Sequence, residues 1–503
     1  MNNKKLAKNT ITSFLFQICT IICGFIVPRL ILQTFGSEAN GMVNSITQFL
    51  GVIAFLELGV GAVVISSLYK PLADNDDAQV SKIIVSAQKF FSKLAWLLLV
   101  YIVFLIIWYP LFAQQNFGFL YTSTMIIAIG IGSFAQYYFG IVNRLLLTAD
   151  QRGYIVYTVQ TIALLLNTIA CIVLIKHGTT IHMVKLTTSL IYIARPIALS
   201  IYINRHYKIN RHIQYEGEPI QQKWNGVAQH IAAVILDGTD IIVLTIFSGL
   251  STVSIYSVYH LIIYGVKQLL LSMTNGIQAL LGRLWAKQER DLLYKTFAWT
   301  EWLIHTGTTF IFGNTAFLIL PFVQVYTNGI NDTNYIQPAF AFLITAANAG
   351  HCLRLPYHIM IKASGRYKET QSNYIIAAAL NVLISVAVVN LLGLAGVAIG
   401  TLIAMLYQTV WMAIYNSKNL LNWPIKHFVK QITVDGITVL LIYLLTRQFS
   451  LGNISYLSWV VLAIKVATVS VFVVVMVNLF FYKDKLMQMG VNIRKMLPLK
   501  VQV

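Results

Sequence analysis

The sequence predicts an all-α integral membrane protein with about fourteen transmembrane helices, read as two six-helix lobes in parallel pseudo-repeat plus two C-terminal helices. Three observations carry that prediction: the apolar content, the length of the apolar runs, and the side on which Lys and Arg collect. Of the 503 residues, 57% are hydrophobic and 11% charged, and the mean hydropathy is +0.70. That balance lies outside the range of soluble domains. A net charge of +19 would point to nucleic acid in a soluble protein; here the placement of the charges accounts for it.

Runs of about 20 apolar residues read as spans. In the first half they cover 10–32, 43–68, 94–112, 120–145, 154–175 and 183–203. In the second half they cover 227–247, 253–281, 297–320, 339–361, 374–392 and 395–414, and 432–445 and 457–481 follow. The implied organisation is an N-lobe over 1–203, a basic and polar inter-lobe loop over 204–225, a C-lobe over 226–416, and the last two spans with a tail over 417–503. The segment 80–93 is amphipathic, with Ile83, Ile84, Ala87 and Phe91 on one side, and is expected to lie along the membrane interface before the third span.

Lys and Arg set the orientation. With the N-terminus inside, inner loops hold Lys4, Lys5, Lys8, Lys70, Lys82, Arg144, Arg152, Arg205, Arg211, Arg283, Lys287, Lys362, Arg366, Lys418 and Lys426, and the tail adds Lys483, Lys485 and Arg494. Near the outer face stand only Lys176, Lys185 and Arg447. This bias predicts both termini to be cytoplasmic. The first apolar run is too long for a cleavable signal and reads as an uncleaved span. Cys19, Cys23, Cys171 and Cys352 all fall in apolar runs, without metal-ligand spacing, and read as small buried hydrophobes. No phosphate loop, His-Glu-x-x-His or Ser/His/Asp arrangement is present, and outer loops are too short for a catalytic domain. The expectation is a protein that is not an enzyme and needs no cofactor and no metal.

The chain also resembles itself. Gly36 and Gly41 correspond to Gly249 and Ser254, and Lys70 to Arg283, at an offset of 213; Ala149, Arg152 and Asn167 correspond to Ala363, Arg366 and Asn381 at 214. An even number of spans per half makes such a repeat parallel.

Ionisable residues inside spans are costly and are functional candidates. They are Arg29, Glu57, Arg195, Asp237, Asp240, Lys267, Arg354 and Lys465, joined by His230, His260, His351 and His358. Arg29, Lys267, Arg354 and Arg195 suit a cationic cavity for an anionic ligand, since Arg grips phosphate bidentately and Lys acts as a point charge. Neutralisation in structural pairs is the competing reading, and for Arg195 and Lys465 packing or snorkelling is the better one. Glu57 and Lys267 occupy paired positions of the two halves and are expected to face one another across a cleft. Glu57, Asp237 and Asp240 are ion-coupling candidates, because desolvation favours their protonated forms; holding helices together by hydrogen bonds is the alternative.

Three stretches carry a family resemblance: Phe55-Leu56-Glu57-Leu58-Gly59-Val60-Gly61-Ala62 with Ser67-Leu68-Tyr69-Lys70-Pro71-Leu72-Ala73; Leu146-Leu147-Thr148-Ala149-Asp150-Gln151; and Asp237-Gly238-Thr239-Asp240-Ile241-Ile242-Val243 with Phe247-Ser248-Gly249-Leu250. In order and spacing they resemble the polysaccharide repeat-unit flippases, the polysaccharide transporter branch of the multidrug/oligosaccharidyl-lipid/polysaccharide (MOP) exporter superfamily. The resemblance implies two lobes around a central cavity that opens alternately to either side. The implied cargo is an undecaprenyl-pyrophosphate-linked glycan moved between leaflets of a bacterial cytoplasmic (inner) membrane, for capsule, O-antigen or exopolysaccharide. A polysaccharide polymerase or glycosyltransferases are the implied partners, with membrane lipid and without nucleic acid. The alternative is a cation-coupled multidrug exporter of the same superfamily, for which an acidic or aromatic cavity would suit cationic drugs.

Overall fold

The computed structural model describes residues 3–113, 117–220, 227–421 and 424–496. In these the chain is almost wholly helical. The elements are α1 (Asn3–Gly51), α2 (Ala54–Ala73), α3 (Asp77–Phe112), α4 (Phe119–Ala135), α5 (Ile141–Ala149), α6 (Gly153–Lys176), α7 (Ile181–His206), α8 (Val227–Phe247) and α9 (Leu250–Ala286). They continue with α10 (Arg290–Tyr326), α11 (Pro338–Leu353), α12 (Leu355–Ala363), α13 (Tyr367–Leu392), α14 (Leu394–Tyr415), α15 (Lys426–Thr446), α16 (Tyr456–Phe481) and α17 (Lys483–Met496). Among the described residues, ten helices are long and apolar enough to cross a membrane, and two shorter apolar helices join them. Helices suit this setting because every interior backbone group is satisfied within the segment. Large apolar side chains such as Phe14, Trp96, Leu111, Leu457 and Phe480 stand exposed on the outside, as a lipid-facing surface requires.

The chain packs as two compact units. Unit 1 comprises Met1–Ser257, Gly329–Thr333 and Val389–Leu394; unit 2 comprises Val258–Asn328, Asn334–Val388 and Ala395–Val503. In unit 1, α1 is one element only in name. It breaks at Gly36, whose φ of 82° lies in the left-handed region. The helix that restarts there is capped by Asp332, which accepts from the Ser37 backbone N–H and hydroxyl, both at 2.6 Å. An acidic cap at a helix start satisfies orphan donors and opposes the helix dipole.

Lipid tails are as apolar as leucine, so close helix contact in a membrane comes from small residues and hydrogen bonds. A Cβ on Gly41 would stand 1.8 Å from the Leu250 carbonyl oxygen, and beside it Asn40 donates to Ser254 at 2.8 Å. Ser45 bridges Thr245 and Tyr109, at 2.7 and 2.8 Å. In unit 2, Asn381 bonds Thr401 at 3.1 Å, and a Cβ on Gly400 would meet the Asn381 carbonyl oxygen at 2.8 Å.

The amphipathic segment before the third span is not a separate surface helix. It is the first half of the continuous helix α3, and Ile83, Ala87 and Phe91 are buried in the core of unit 1. Its stripe continues without a break into Leu94 and Leu98, which holds the helix to one course. The chain after α7 covers its polar side: the Asn210 N–H donates to Ser81, Ser86 donates to Glu218, Lys89 lies over Tyr215, and Ile220 is buried.

The internal repeat is written into the backbone. Gly36 and Gly249 have φ of 82° and 88°; Asn75 and Gln288 have 55° and 59°, both pairs 213 residues apart. Gln151 and Gly365, 214 apart, have 56° and 73°, and Gly178 and Gly393, 215 apart, have 71° and 53°. The left-handed region is sparsely populated by residues other than glycine, so Asn75, Gln151 and Gln288 mark turns that the fold imposes. The remaining positive-φ glycines are Gly217, in the linker, and Gly329, whose counterpart lies outside the described residues.

Candidate functional site: basic side chains beside a polar cavity

The tenth apolar segment is divided into α11 and α12 by the single residue Arg354. Pro356 lacks an N–H, so one bond of the ladder is missing, but Arg354 keeps helical angles (φ −70°, ψ −24°), and its N–H and carbonyl bond Gly350 and His358 as in a continuous helix. Arg354 is buried. Its Nη2 lies 3.0 Å from Nδ1 of His351. Guanidinium only donates, so His351 Nδ1 is the acceptor in this contact and the imidazole is neutral with its proton on Nε2. Lys267 on α9 is buried and acts electrostatically on His351 together with Arg354, His358 and Lys362.

A cavity of about 260 Å³ opens beside this group. Gln268, Ser272 and Gln278 from α9 and His358 and Lys362 from α12 line it. Lys267 and Arg354 do not line it; they are buried near its wall. The cavity thus offers amides, hydroxyls, an imidazole and the Lys362 amine in its lining, with Lys267 and Arg354 adjoining the lining residues Gln268 and Leu355. That chemistry suits a polar, anionic group.

The other residues singled out in the sequence stand elsewhere. Glu57 is buried on α2 and pairs with Arg144 of α5, with Tyr137 hydrogen-bonded to the same carboxylate. Arg144 is therefore part of a helix-to-helix contact in unit 1. Asp240 is buried on α8 and accepts from Tyr256 of α9 at 2.9 Å. Arg29 is half-buried on α1. Arg195 stacks on Tyr192, 3.7 Å from the ring centre, a packing use of guanidinium. Lys465 is exposed on α16. The side chains of Asp237 and His230 lie outside the described residues. In the Leu146–Gln151 stretch, Asp150 accepts from Tyr207 at 2.5 Å and pairs with Arg152 at 2.8 Å and Lys5 at 3.4 Å. That stretch is a clamp joining α1, α5 and α7. Burial works against the charge on Arg152, but the Tyr202 bond and the neighbouring Tyr207 and Asp150 outweigh it and raise its pKa.

Glu301, His305 and Asp435 escaped the sequence reading, although all three are buried. The signal for two of them was available. Glu301 and His305 are four residues apart, on one helix face, and the helix begins at Arg290. The span read over 297–320 contains both, yet neither was counted among its ionisable residues.

No family model and no curated protein sequence matches the chain. Solved structures do. The lipid II flippase MurJ in an inward closed conformation superposes with a TM-score of 0.70 at 13% identity, over 95% of this chain and 99% of that one. The chain has that fold. An inward-facing multidrug resistance MATE family transporter of the MOP superfamily matches at TM-score 0.64 and 13% identity, over 79% of this chain and 94% of its own. A MOP superfamily transporter from Pyrococcus furiosus, described as having a binding pocket of reverse polarity, matches at 0.51 and 13%, over 82% and 94%. The all-helical membrane architecture expected from the sequence is thus the observed one.

Proposed function

We propose that the protein is a flippase for undecaprenyl-pyrophosphate-linked oligosaccharide repeat units, working by alternating access in a bacterial cytoplasmic membrane with both termini cytoplasmic. One observation carries the reading: His358 and Lys362 line a polar cavity, and Lys267 and Arg354 directly adjoin its lining residues Gln268 and Leu355 in the chain. A pyrophosphate linkage presents several anionic oxygens, which Arg engages bidentately and Lys neutralises as a point charge. A glycan head group needs amides and hydroxyls along its path, and Gln268, Ser272 and Gln278 supply them. The fold shared with a lipid II flippase supports this reading. The two-lobe division near 204–225, and membrane polymerases or glycosyltransferases as partners, belong to the same proposal.

A cation-coupled multidrug exporter is the second reading, favoured by the buried carboxylates Asp240, Glu301 and Asp435. Complementation separates the two. In a strain lacking its own repeat-unit flippase, wild type restores surface polysaccharide, while Lys267→Ala and Arg354→Ala at equal membrane expression lower it at least about tenfold, the loss expected when a charge-assisted contact worth about 1.4 kcal/mol or more is removed. Failure of the wild type with several donor pathways, combined with protection against cationic drugs, would replace the flippase by the exporter.

A further inference from the structure

A second polar group in unit 2 lies on different side chains from the cationic cluster. On α10, Glu301 and His305 are buried, and so are Tyr357 of α12 and Asp435 of α15. They form one connected chain. The Tyr357 hydroxyl donates to Glu301 Oε1 at 2.6 Å and lies 3.5 Å from His305 Nε2. His305 Nδ1 lies 2.6 Å from Asp435 Oδ2. The other Asp435 oxygen accepts from Thr309 at 2.9 Å and from Gln431 at 3.3 Å.

Asp435 sets the tautomer. A carboxylate supplied with donors on both oxygens only accepts, so the proton of neutral His305 sits on Nδ1 and the lone pair of Nε2 faces Tyr357. The Tyr357 hydroxyl then has one proton and two acceptors, the Glu301 carboxylate and the His305 imidazole. Donating to Glu301 leaves two lone pairs opposed at Nε2, so the chain has a vacancy for one further proton. Added at Nε2, that proton makes an imidazolium that donates to the Tyr357 oxygen. Added at Glu301, it makes a carboxylic acid that donates to Tyr357, whose own proton turns to Nε2. The two states interconvert by one proton passing from Glu301 to Tyr357 and one from Tyr357 to His305. No other bond forms or breaks, and no redox partner is needed.

We propose that Glu301, Tyr357 and His305, positioned by Asp435, form a proton-loading site that ties protonation to the packing of α15 and α12 on α10. A proton fits where a metal does not: three donors already occupy the Asp435 oxygens, and among the described residues no three His, Cys, Asp or Glu side chains converge on one point. Around the site, α15 also brings Lys430 and His427, the turn after α16 brings Tyr482, and α17 brings Lys485. Glu301 acts electrostatically on Tyr482, Lys485 and His427, and Asp435 acts on Tyr482 as well. From α16 the neighbour is a neutral amide, Asn478, which accepts from Trp302 at 2.6 Å. Of the titratable groups of α11, His351 is engaged with Arg354 instead, and Cys352 is a buried thiol whose charged neighbours are Lys267 and Arg354. The site stands independently of the cargo proposed above.

The test is pH-difference infrared spectroscopy of the full chain in proteoliposomes, with imidazole nitrogens labelled for magnetic resonance. Acidification of wild type produces a carboxylic C=O band that Glu301→Gln removes and Glu57→Gln leaves in place. Tyr357→Phe deletes one oxygen from the middle of the chain and uncouples the two ends, so the carboxyl and His305 midpoints separate by at least about one pH unit, a tenfold change in proton affinity. A C=O band untouched by Glu301→Gln in protein of normal gel-filtration behaviour overturns the proposal. So does Tyr357→Phe with both midpoints unmoved, and that variant decides the matter if Glu301→Gln does not fold.

Discussion

In unit 1 the buried carboxylates meet donors from neighbouring helices, Glu57 with Arg144 and Tyr137, Asp240 with Tyr256. In unit 2 the charges are sorted: basic side chains gather about the junction of α11 and α12, while Glu301 and Asp435 lie together on α10 and α15 with a histidine and a tyrosine between them. A paired charge is a fastener, because separating the partners leaves an uncompensated ion in a poor solvent. A group of like charges beside a cavity, or a proton shared among several acceptors, favours a change of state. On the proposals above, unit 1 holds and unit 2 switches.

The largest effect should come from the tightest contact of unit 1. Gly41→Ala places a methyl 1.8 Å from the Leu250 carbonyl oxygen, which is backbone and cannot turn aside. The expected cost exceeds about 3 kcal/mol, the top of the usual range for overpacking, and gel filtration of the fluorescently tagged protein should show little monodisperse material. Next, Arg144→Ala strands Glu57. Since about a third of the Arg144 side chain is exposed, the cost should sit near the lower end of the 3–5 kcal/mol seen for broken buried pairs. Adding Glu57→Gln should recover most of the thermal stability. A double variant as unstable as the single one would break the idea that the pair is a fastener.

Smaller effects sharpen the unit 2 side. Trp302→Phe removes the bond to Asn478 and should cost about 1–2 kcal/mol in thermal unfolding, the penalty for one stranded buried partner. Lys485 gives the mildest effect. Burial, opposed by Glu301 and aided by Lys430, lowers its pKa to about 8. The unfolded chain then binds more protons than the folded one between about pH 8 and the ordinary lysine value, so stability rises with pH across that window. Melting curves should show wild type gaining on Lys485→Met above pH 8; equal slopes would mean that α17 does not dock through this side chain.

Much of the architecture was readable because membranes impose simple rules. Apolar length gives spans, and glycine or its substitutes at a fixed offset give the repeat. Gly36 and Gly249 were matched by residue type, and both adopt the left-handed conformation that such a turn requires. Asn167 and Asn381 were matched likewise, and each reaches the helix that follows its own, at Tyr192 and Thr401. Boundaries were less legible. The amphipathic stretch of α3 carries the same pattern whether it faces lipid head groups or a protein core, and only its neighbours distinguish the two.

The candidate sites divide in the same manner. That ionisable residues such as Lys267, Arg354, Glu57 and Asp240 lie within apolar helices follows from the order of residues alone, since hydropathy and helical spacing are local. Their partners are not local. Glu57 finds Arg144 87 residues on, and His305 finds Asp435 130 residues away. No periodicity connects such positions, because Coulomb attraction and hydrogen bonding act over a few ångströms in space and are indifferent to distance along the chain. Composition and pattern therefore established an all-helical membrane protein with buried charge; which charges neutralise one another, and which share a cavity or a hydrogen-bond chain, was decided when the helices packed.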